Sequence, residues 1–231
     1  MLIDILTTFP ETFTPLESSI VGRAREKGIV EIRFFNPRDY SLDPHRKTDD
    51  RQYGGADGMV MTAPPLLAAL DAALESPRAA DPRVVLTSPQ GKPFDQAKAL
   101  EYSRLDRLVV VCGHYKGVDE RFVDLARPEE VSLGDFVLTG GEIAAMAIVD
   151  ATVRLLPEAV NRFGSVEDDS FYDGVLDCPR YTRPRVVRGM EVPGVLLSGN
   201  HEKIEAWRRR MALEATRRKR PELLGKAGTV G

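Results

Sequence analysis

This chain predicts an α/β fold built on a mostly parallel sheet, and three observations lead there. Short runs of branched apolar residues alternate with helical patterns through the first 156 residues. Glycine-bearing loops follow such runs three times, as "TSPQG", "CGHYKG" and "SLGDFVLTGGE". Open α/β sheets bind ligands beyond the C-terminal ends of their strands, where these loops fall. Composition agrees: 42% hydrophobic and 29% charged residues in a chain of 231 describe a globular protein able to bury a core.

The elements follow in order. Leu2–Thr7 reads as the first strand, because Asp4 interrupts its apolar run and no basic stretch precedes it, which argues against a signal peptide. A helix over Leu16–Lys27 leads to a strand at Val30–Phe35. The polar, glycine-rich stretch Asp43–Gly58 is too long for a plain connection and reads as a functional loop. A helix at Pro64–Glu75, a strand at Val84–Thr87, a helix at Phe94–Ser103 and a strand at Leu108–Cys112 continue the alternation. The run Gly141–Leu156 is apolar on nearly every face, so a buried helix is expected. Pro157–Gly174 has little apolar periodicity and reads as a linker. Beyond it a helix from Asn200 to Lys219 carries an apolar stripe of Ile204, Trp207, Met211 and Ala215, with Arg208–Arg210 and Arg217–Arg220 on its basic side.

Charge divides the chain. Residues 1–170 hold 19 Lys and Arg against 28 Asp and Glu, whereas residues 171–231 hold 13 against 7. An acidic body with a basic tail points to a polyanionic partner for the tail. The apolar stretch Ile143–Val149 is too short to span a membrane, and Cys112 and Cys178 match no metal or redox spacing, so a reduced, cytoplasmic setting is expected. No dinucleotide fingerprint follows a strand, and there is no P-loop, GxSxG elbow or HExxH. His45, His114 and His201 are widely separated, which argues against a histidine-rich metal site. The residues alone describe an α/β domain for a small nucleotide-like ligand with a basic helical tail.

"SLGDFVLTGGE" sets two glycine turns around the apolar Phe136–Val137–Leu138, directly before the most apolar helix, as though the backbone bends around something. With "YGGADGMVM", "LTSPQGKPF", "VVCGHYKGVDERF", "EDDSF", "DGVLDCPRYTRP" and "VPGVLLSGNHEKIEAWRR", it resembles the bacterial tRNA (guanine-N1)-methyltransferase family, TrmD, in order from Met1 to about Leu224.

That resemblance implies a SPOUT-type parallel-sheet domain with a deep C-terminal trefoil knot, a rare exception to the rule against threaded chains, plus a small helical C-terminal domain. The implied boundaries are a cofactor-binding methyltransferase domain over 1–160, a flexible linker over 161–174 and a basic tRNA-binding domain over 175–231. It further implies a homodimer with its active sites at the subunit interface. The implied reaction carries the methyl group of S-adenosylmethionine to N1 of the guanosine just 3′ of the tRNA anticodon, which helps maintain the reading frame. Ser88, Pro89, Gly113, Tyr115, Leu133, Gly134, Asp135, Phe136, Val137, Leu138, Gly140 and Gly141 match the cofactor positions, with Leu133, Phe136 and Leu138 lining an adenine slot. For Val137 a packing role is an equal alternative. Gly58, Ser165, Arg183, Ser198, Asn200, His201, Lys203 and Arg208 match the RNA-binding positions. Mg2+ assists the family, and no protein ligand for it is assigned in this sequence.

The family's base falls on Asp169 and its cation on Arg154. Chemistry alone leaves Asp168 equally able to serve as the base, and Asp150, four residues before Arg154, offers it a plain helical ion pair. The chain departs from the family at Lys116, where many members have an acid, and at Ala56 and Asp57 in the glycine-rich loop. A ribose 2′-O-methyltransferase of the same superfamily and a non-catalytic RNA-binding regulator are the alternatives.

Overall fold

Every residue of the first strand, β1 (Leu2–Leu6), is buried, and that fixes its place inside a sheet. In the computed structural model, which describes residues 1–75, 82–160 and 169–226, β1 pairs in parallel with β2 (Glu31–Phe35) on one side and β6 (Arg107–Cys112) on the other. Beyond β6 lie β5 (Arg83–Pro93) and then β7 (Glu129–Ser132), so the strand order is β2-β1-β6-β5-β7 and every pairing is parallel.

Side-chain alternation divides the core between the two faces of the sheet. Ile3, Ile5, Leu108, Val110 and Val85 pack with residues of α1 (Ser19–Glu26), α3 (Gln96–Ser103) and α5 (Glu142–Val153). Leu6, Val109, Val111 and Leu86 pack with α2 (Ala63–Leu74) and with Phe122 of α4 (Glu120–Ala126). Asp4 is fully buried among these apolar residues, where Arg33 donates to one of its oxygens at 2.7 Å and Arg107 to the other at 2.9 Å. A buried carboxylate stays charged only with such partners.

The sequence reading differs from the structure at several elements. Pro10–Glu17 is a 3-10 helix, and the α-helix begins only at Ser19, because two prolines break the regular ladder. The polar stretch read as one loop contains a strand, β3 (Asp49–Arg51), which forms a hairpin with β4 (Met59–Met61) just beyond it, anchored through Met61 N–H to Gly117 O at 3.0 Å. "TSPQG" lies inside β5, which shifts register between Thr87 and Lys92 and pairs again with β7. Helix α5 is not buried all round. Ala144, Ala145, Ile148, Val149 and Val153 face the core, while Ile143 is 54% exposed and Ala147 and Asp150 lie beside it in the open, because within one chain only one side of α5 meets other elements.

Backbone contacts divide the chain into two compact units, Met1–Asn161 and Arg162–Gly231. The second contains the exposed hairpin β8 (Val186–Val187) and β9 (Met190–Glu191), α6 (His201–Lys219) and α7 (Glu222–Lys226). Thr216 on α6 accepts from Leu176 N–H at 2.9 Å and donates to Ala212 O, which ties the entering segment to the helix. No helix among the described residues is long and apolar enough to cross a membrane.

Candidate functional site

The irregular middle of β5 and the loops beyond the C-terminal ends of β6 and β7 converge and enclose a cavity of about 360 Å3. What brings them together is backbone contact at glycines. Gly141 N–H donates to Gly113 O at 2.7 Å, and His114 pairs with Gly140 as an isolated bridge. A Cβ on Gly141 would stand 2.0 Å from Thr87 Oγ1, 2.8 Å from Gly113 N and 3.0 Å from Cys112 Cα. One on Gly140 would stand 2.3 Å from Glu142 Oε2 and 2.7 Å from His114 Nε2. Backbone leaves no room for a side chain at Gly141, one at Gly140 would displace the Glu142 and His114 side chains, and neither glycine has a positive φ. Their purpose is close approach of chain to chain. Gly134 is different: its φ of +153° is one that other residues rarely adopt.

Of the residues matched to the cofactor, Ser88, Pro89, Gly113, Tyr115, Leu133, Phe136, Val137, Leu138, Gly140 and Gly141 line this cavity. Gly134 and Asp135 do not line it; Gly134 instead exchanges hydrogen bonds with the Ser132 hydroxyl, shaping the turn. Phe136 and Val137 are exposed, so the slot is open on their side, while Leu133 and Leu138 are half-buried. Tyr115 adopts a left-handed φ of +60°, and its N–H donates to His114 Nδ1 at 3.0 Å. Burial, more than the neighbouring Asp49, pushes the Tyr115 phenol up. Burial also pushes the Cys112 thiol well up, so beside this cavity it is a packing residue.

Thr87, Gln90 and His114, within "TSPQG" and Gly113–Tyr115, line the cavity too, as do the charged residues Lys116, Glu120 and Glu130, which were not matched to the cofactor from sequence. Thr87 donates to Val111 O at 3.2 Å and accepts from Gly113 N–H at 3.3 Å. Glu130 carried no signal, because the four-residue β7 with two glutamates has no strand-like pattern.

Arg154 is half-buried and caps the C-terminus of α5, with its backbone N–H donating to Asp150 O at 3.1 Å. Asp169 is half-buried at the start of the described part of the second unit, and its carbonyl accepts from Tyr172 N–H. Asp168 and Ser165 lie outside the described residues. Gly58 sits on the β3–β4 hairpin with the stem of Lys116 against it. In the second unit Arg183 is exposed, Asn200 caps α6 by accepting from Lys203 N–H at 3.1 Å, and Ser198 accepts from Asn200 N–H at 3.2 Å. His201 and Lys203 are exposed on the first turn of α6, and Arg208 pairs with Glu205 at 2.6 Å. Among the described residues no three His, Cys, Asp or Glu side chains cluster to hold a metal.

The model of one protein family, described as tRNA (Guanine-1)-methyltransferase TrmD, matches residues 1–226. The chain belongs to the TrmD family. Relatives in that family are similar over nearly their whole length. One from Exiguobacterium sp., named tRNA (guanine-N(1)-)-methyltransferase, is 54% identical over 224 residues, covering 97% of this chain and 92% of the relative. One of the same name from Geobacter sulfurreducens is 54% identical over 228 residues, covering 98% and 92%. A third of that name, from Aromatoleum aromaticum, is 52% identical over 225 residues, covering 96% and 86%. The TrmD match spans both compact units, so the cavity and the basic helix fall within one family unit.

Proposed function

We propose that this chain transfers a methyl group from S-adenosylmethionine to N1 of a guanine in tRNA, the guanosine just 3′ of the anticodon. The observation that carries the reading is the cavity itself, in a chain that matches the TrmD family over both units. The cavity suits the donor: its volume is that of a small-ligand site, and it offers apolar walls, backbone groups at glycines and charges of both signs. When bound, S-adenosylmethionine supplies a methyl group already activated on a sulfonium.

The residues divide the remaining work. Leu133 and Leu138 cover the adenine, and the backbone at Gly113, Gly140 and Gly141 comes close enough to read its edge. Guanine N1 carries a proton, so its lone pair must be uncovered before it can attack. Asp169 takes that proton as general base, and Arg154 stabilises the negative charge that moves onto O6. Orientation of the base against the methyl group contributes much of the remaining rate. Arg183, Lys203 and the basic side of α6 hold phosphates, a salt-sensitive contact without sequence information. Gly58, Ser165, Ser198, Asn200, His201 and Arg208 complete the RNA-facing set. The first unit is thus the cofactor domain and the second the tRNA-binding domain.

Two finer readings belong to the same proposal. The deep trefoil knot that the family resemblance implies belongs to this reading of the first unit. The open stripe of Ile143 and Ala147 on α5 supports a second copy of the chain as its cover, with the active site completed at that interface. We assign Mg2+ no ligand.

Transfer of labelled methyl to an unmodified tRNA transcript with GG at the anticodon edge tests the reading. Wild-type protein is expected to give N1-methylguanosine, and Asp169→Ala about 10²- to 10⁴-fold less while still binding the donor. Ribose 2′-O-methylation as the product, or equal activity in the variant, would overturn it.

A further inference from the structure

An adenine slot needs no formal charge, yet this cavity is lined by Lys116, Glu120 and Glu130. Lys116 is the one lysine or arginine among its lining residues, and it makes no ion pair among the described residues. Its placement is defined. Its backbone N–H donates to Met59 O at 3.0 Å, and its Cγ, Cε and Cδ lie 2.8, 3.1 and 3.5 Å from where a Cβ on Gly58 would stand. The stem therefore rests against Gly58, next to β4, through its Cγ, Cδ and Cε, while the residue as a whole stays exposed. A cation held this way loses less freedom on meeting a partner than one on a free stem.

The donor of the proposed reaction carries two cationic groups, the sulfonium and the ammonium, and one anionic group, the carboxylate of its amino-acid end. We infer that Lys116 binds this carboxylate and so makes the cavity select donors that carry an amino acid. The inference rests on the reading of the cavity as an S-adenosylmethionine site. Glu120 and Glu130 favour the two cationic groups and leave the lysine as the one complement to the anion. A phosphate of the RNA is the competing partner for an exposed lysine, but the stem that packs on Gly58 belongs to a residue of the cavity wall, which favours the donor.

Calorimetric titration of the full chain with three ligands tests this: S-adenosylmethionine, S-adenosylhomocysteine and 5′-methylthioadenosine, the last lacking the amino acid. Lys116→Met keeps an apolar stem on Gly58 and removes only the charge. It is expected to weaken the first two ligands about tenfold, the size of one charge-assisted hydrogen bond, and to leave 5′-methylthioadenosine unchanged. Lys116→Arg is expected to recover most of the loss. Unchanged S-adenosylmethionine binding with weakened tRNA binding would move Lys116 to the RNA and overturn the inference. An equal loss for all three ligands would make it a wall residue and overturn it too. Wild-type protein that binds none of the three would remove the cofactor reading itself, a separate result from either of those.

Discussion

The Thr7 hydroxyl donates to a Glu142 oxygen across 2.8 Å, joining the end of β1 to the first residue of α5 in the buried interior. The same hydroxyl accepts from Phe9 N–H at 3.0 Å, so it serves both partners at once. The other Glu142 oxygen and the His114 ring stand together at the open Cβ position of Gly140. One carboxylate thus connects the first strand, the cavity turn and the helix. Its place in the first turn of α5 also suits a negative charge.

Thr7→Val removes this donor and keeps the shape, which leaves Glu142 buried and short of a partner. The expected cost is about 1–3 kcal/mol, read as a shift in the denaturant midpoint with unchanged slope. Thr7→Ser keeps both hydrogen bonds, so its loss is limited to the missing methyl, about 1 kcal/mol. Equal stability of Thr7→Val and wild type would mean that water replaces the threonine at no cost.

Gly141→Ala drives a methyl group into Thr87 and into the backbone at Gly113 and Cys112. Backbone cannot rotate aside, so the expected cost is about 1–3 kcal/mol or more, with weaker donor binding because the turn and the β6 end are pushed apart. Gly194→Ala is the control: nothing lies within 4 Å of its Cβ position, and its melting temperature should match wild type. A full-strength donor titration by Gly141→Ala would show that the loops tolerate separation.

The acid limb of stability should depend on Glu129. Burial by itself would raise its carboxyl, but hydrogen bonds from Lys98 and Arg83 outweigh that and hold it below the ordinary 4.5. Because the folded value is depressed, the stabilisation is present above the unfolded value and is lost as pH falls through the folded one. Glu101, held low by Lys98, follows the same course. Glu129→Gln should therefore flatten the decline in unfolding free energy below about pH 4.5, measured by urea denaturation across pH. A slope identical to wild type would assign the acid limb to other carboxylates.

Gly58→Ala displaces the Lys116 stem, which stands 2.8 Å from the added methyl, and strains a backbone at φ +99°. Donor affinity should fall in Gly58→Ala, and the loss should shrink in a Lys116→Met background, because both changes act on one ammonium. A double-mutant cycle read by calorimetry gives the coupling. Fully additive losses would mean that the hairpin strain acts on the cavity by another route.

Strands β1 and β6 were legible because branched apolar residues dominate them, as buried parallel strands require, and β2, at the sheet edge, because Ile32, Phe34 and Phe35 stand among Glu31 and Arg33. Strand β7 was not: Glu129 and Glu130 make half of it, one tied to Arg83 and Lys98 and the other facing the cavity, and both partners are distant in sequence. The hairpin β3–β4 was hidden for a similar reason, since β3 is three polar residues of a polar loop, β4 is only three residues long, and the anchor is the distant backbone at Gly117. At the site, the glycines of "TGGE" signalled a special backbone, but not its nature. What excludes a side chain at Gly141 is Thr87 and Gly113, and no local pattern carries a contact of that range.

The strand order has a consequence for synthesis. Leu2–Leu6 is made first and can pair with Glu31–Phe35 early, but its other neighbour, Arg107–Cys112, follows about a hundred residues later. Until then a strand apolar except for Asp4 presents one unpaired edge, and the sheet cannot close over it. Non-local parallel pairing of this kind folds slowly and leaves sticky edges exposed on the way. The nascent chain is therefore expected to need shielding from the completion of Glu31–Phe35 until Arg107–Cys112 emerges, and the cavity forms only once Glu129–Ser132 and the turn that leads to Ala144 have followed.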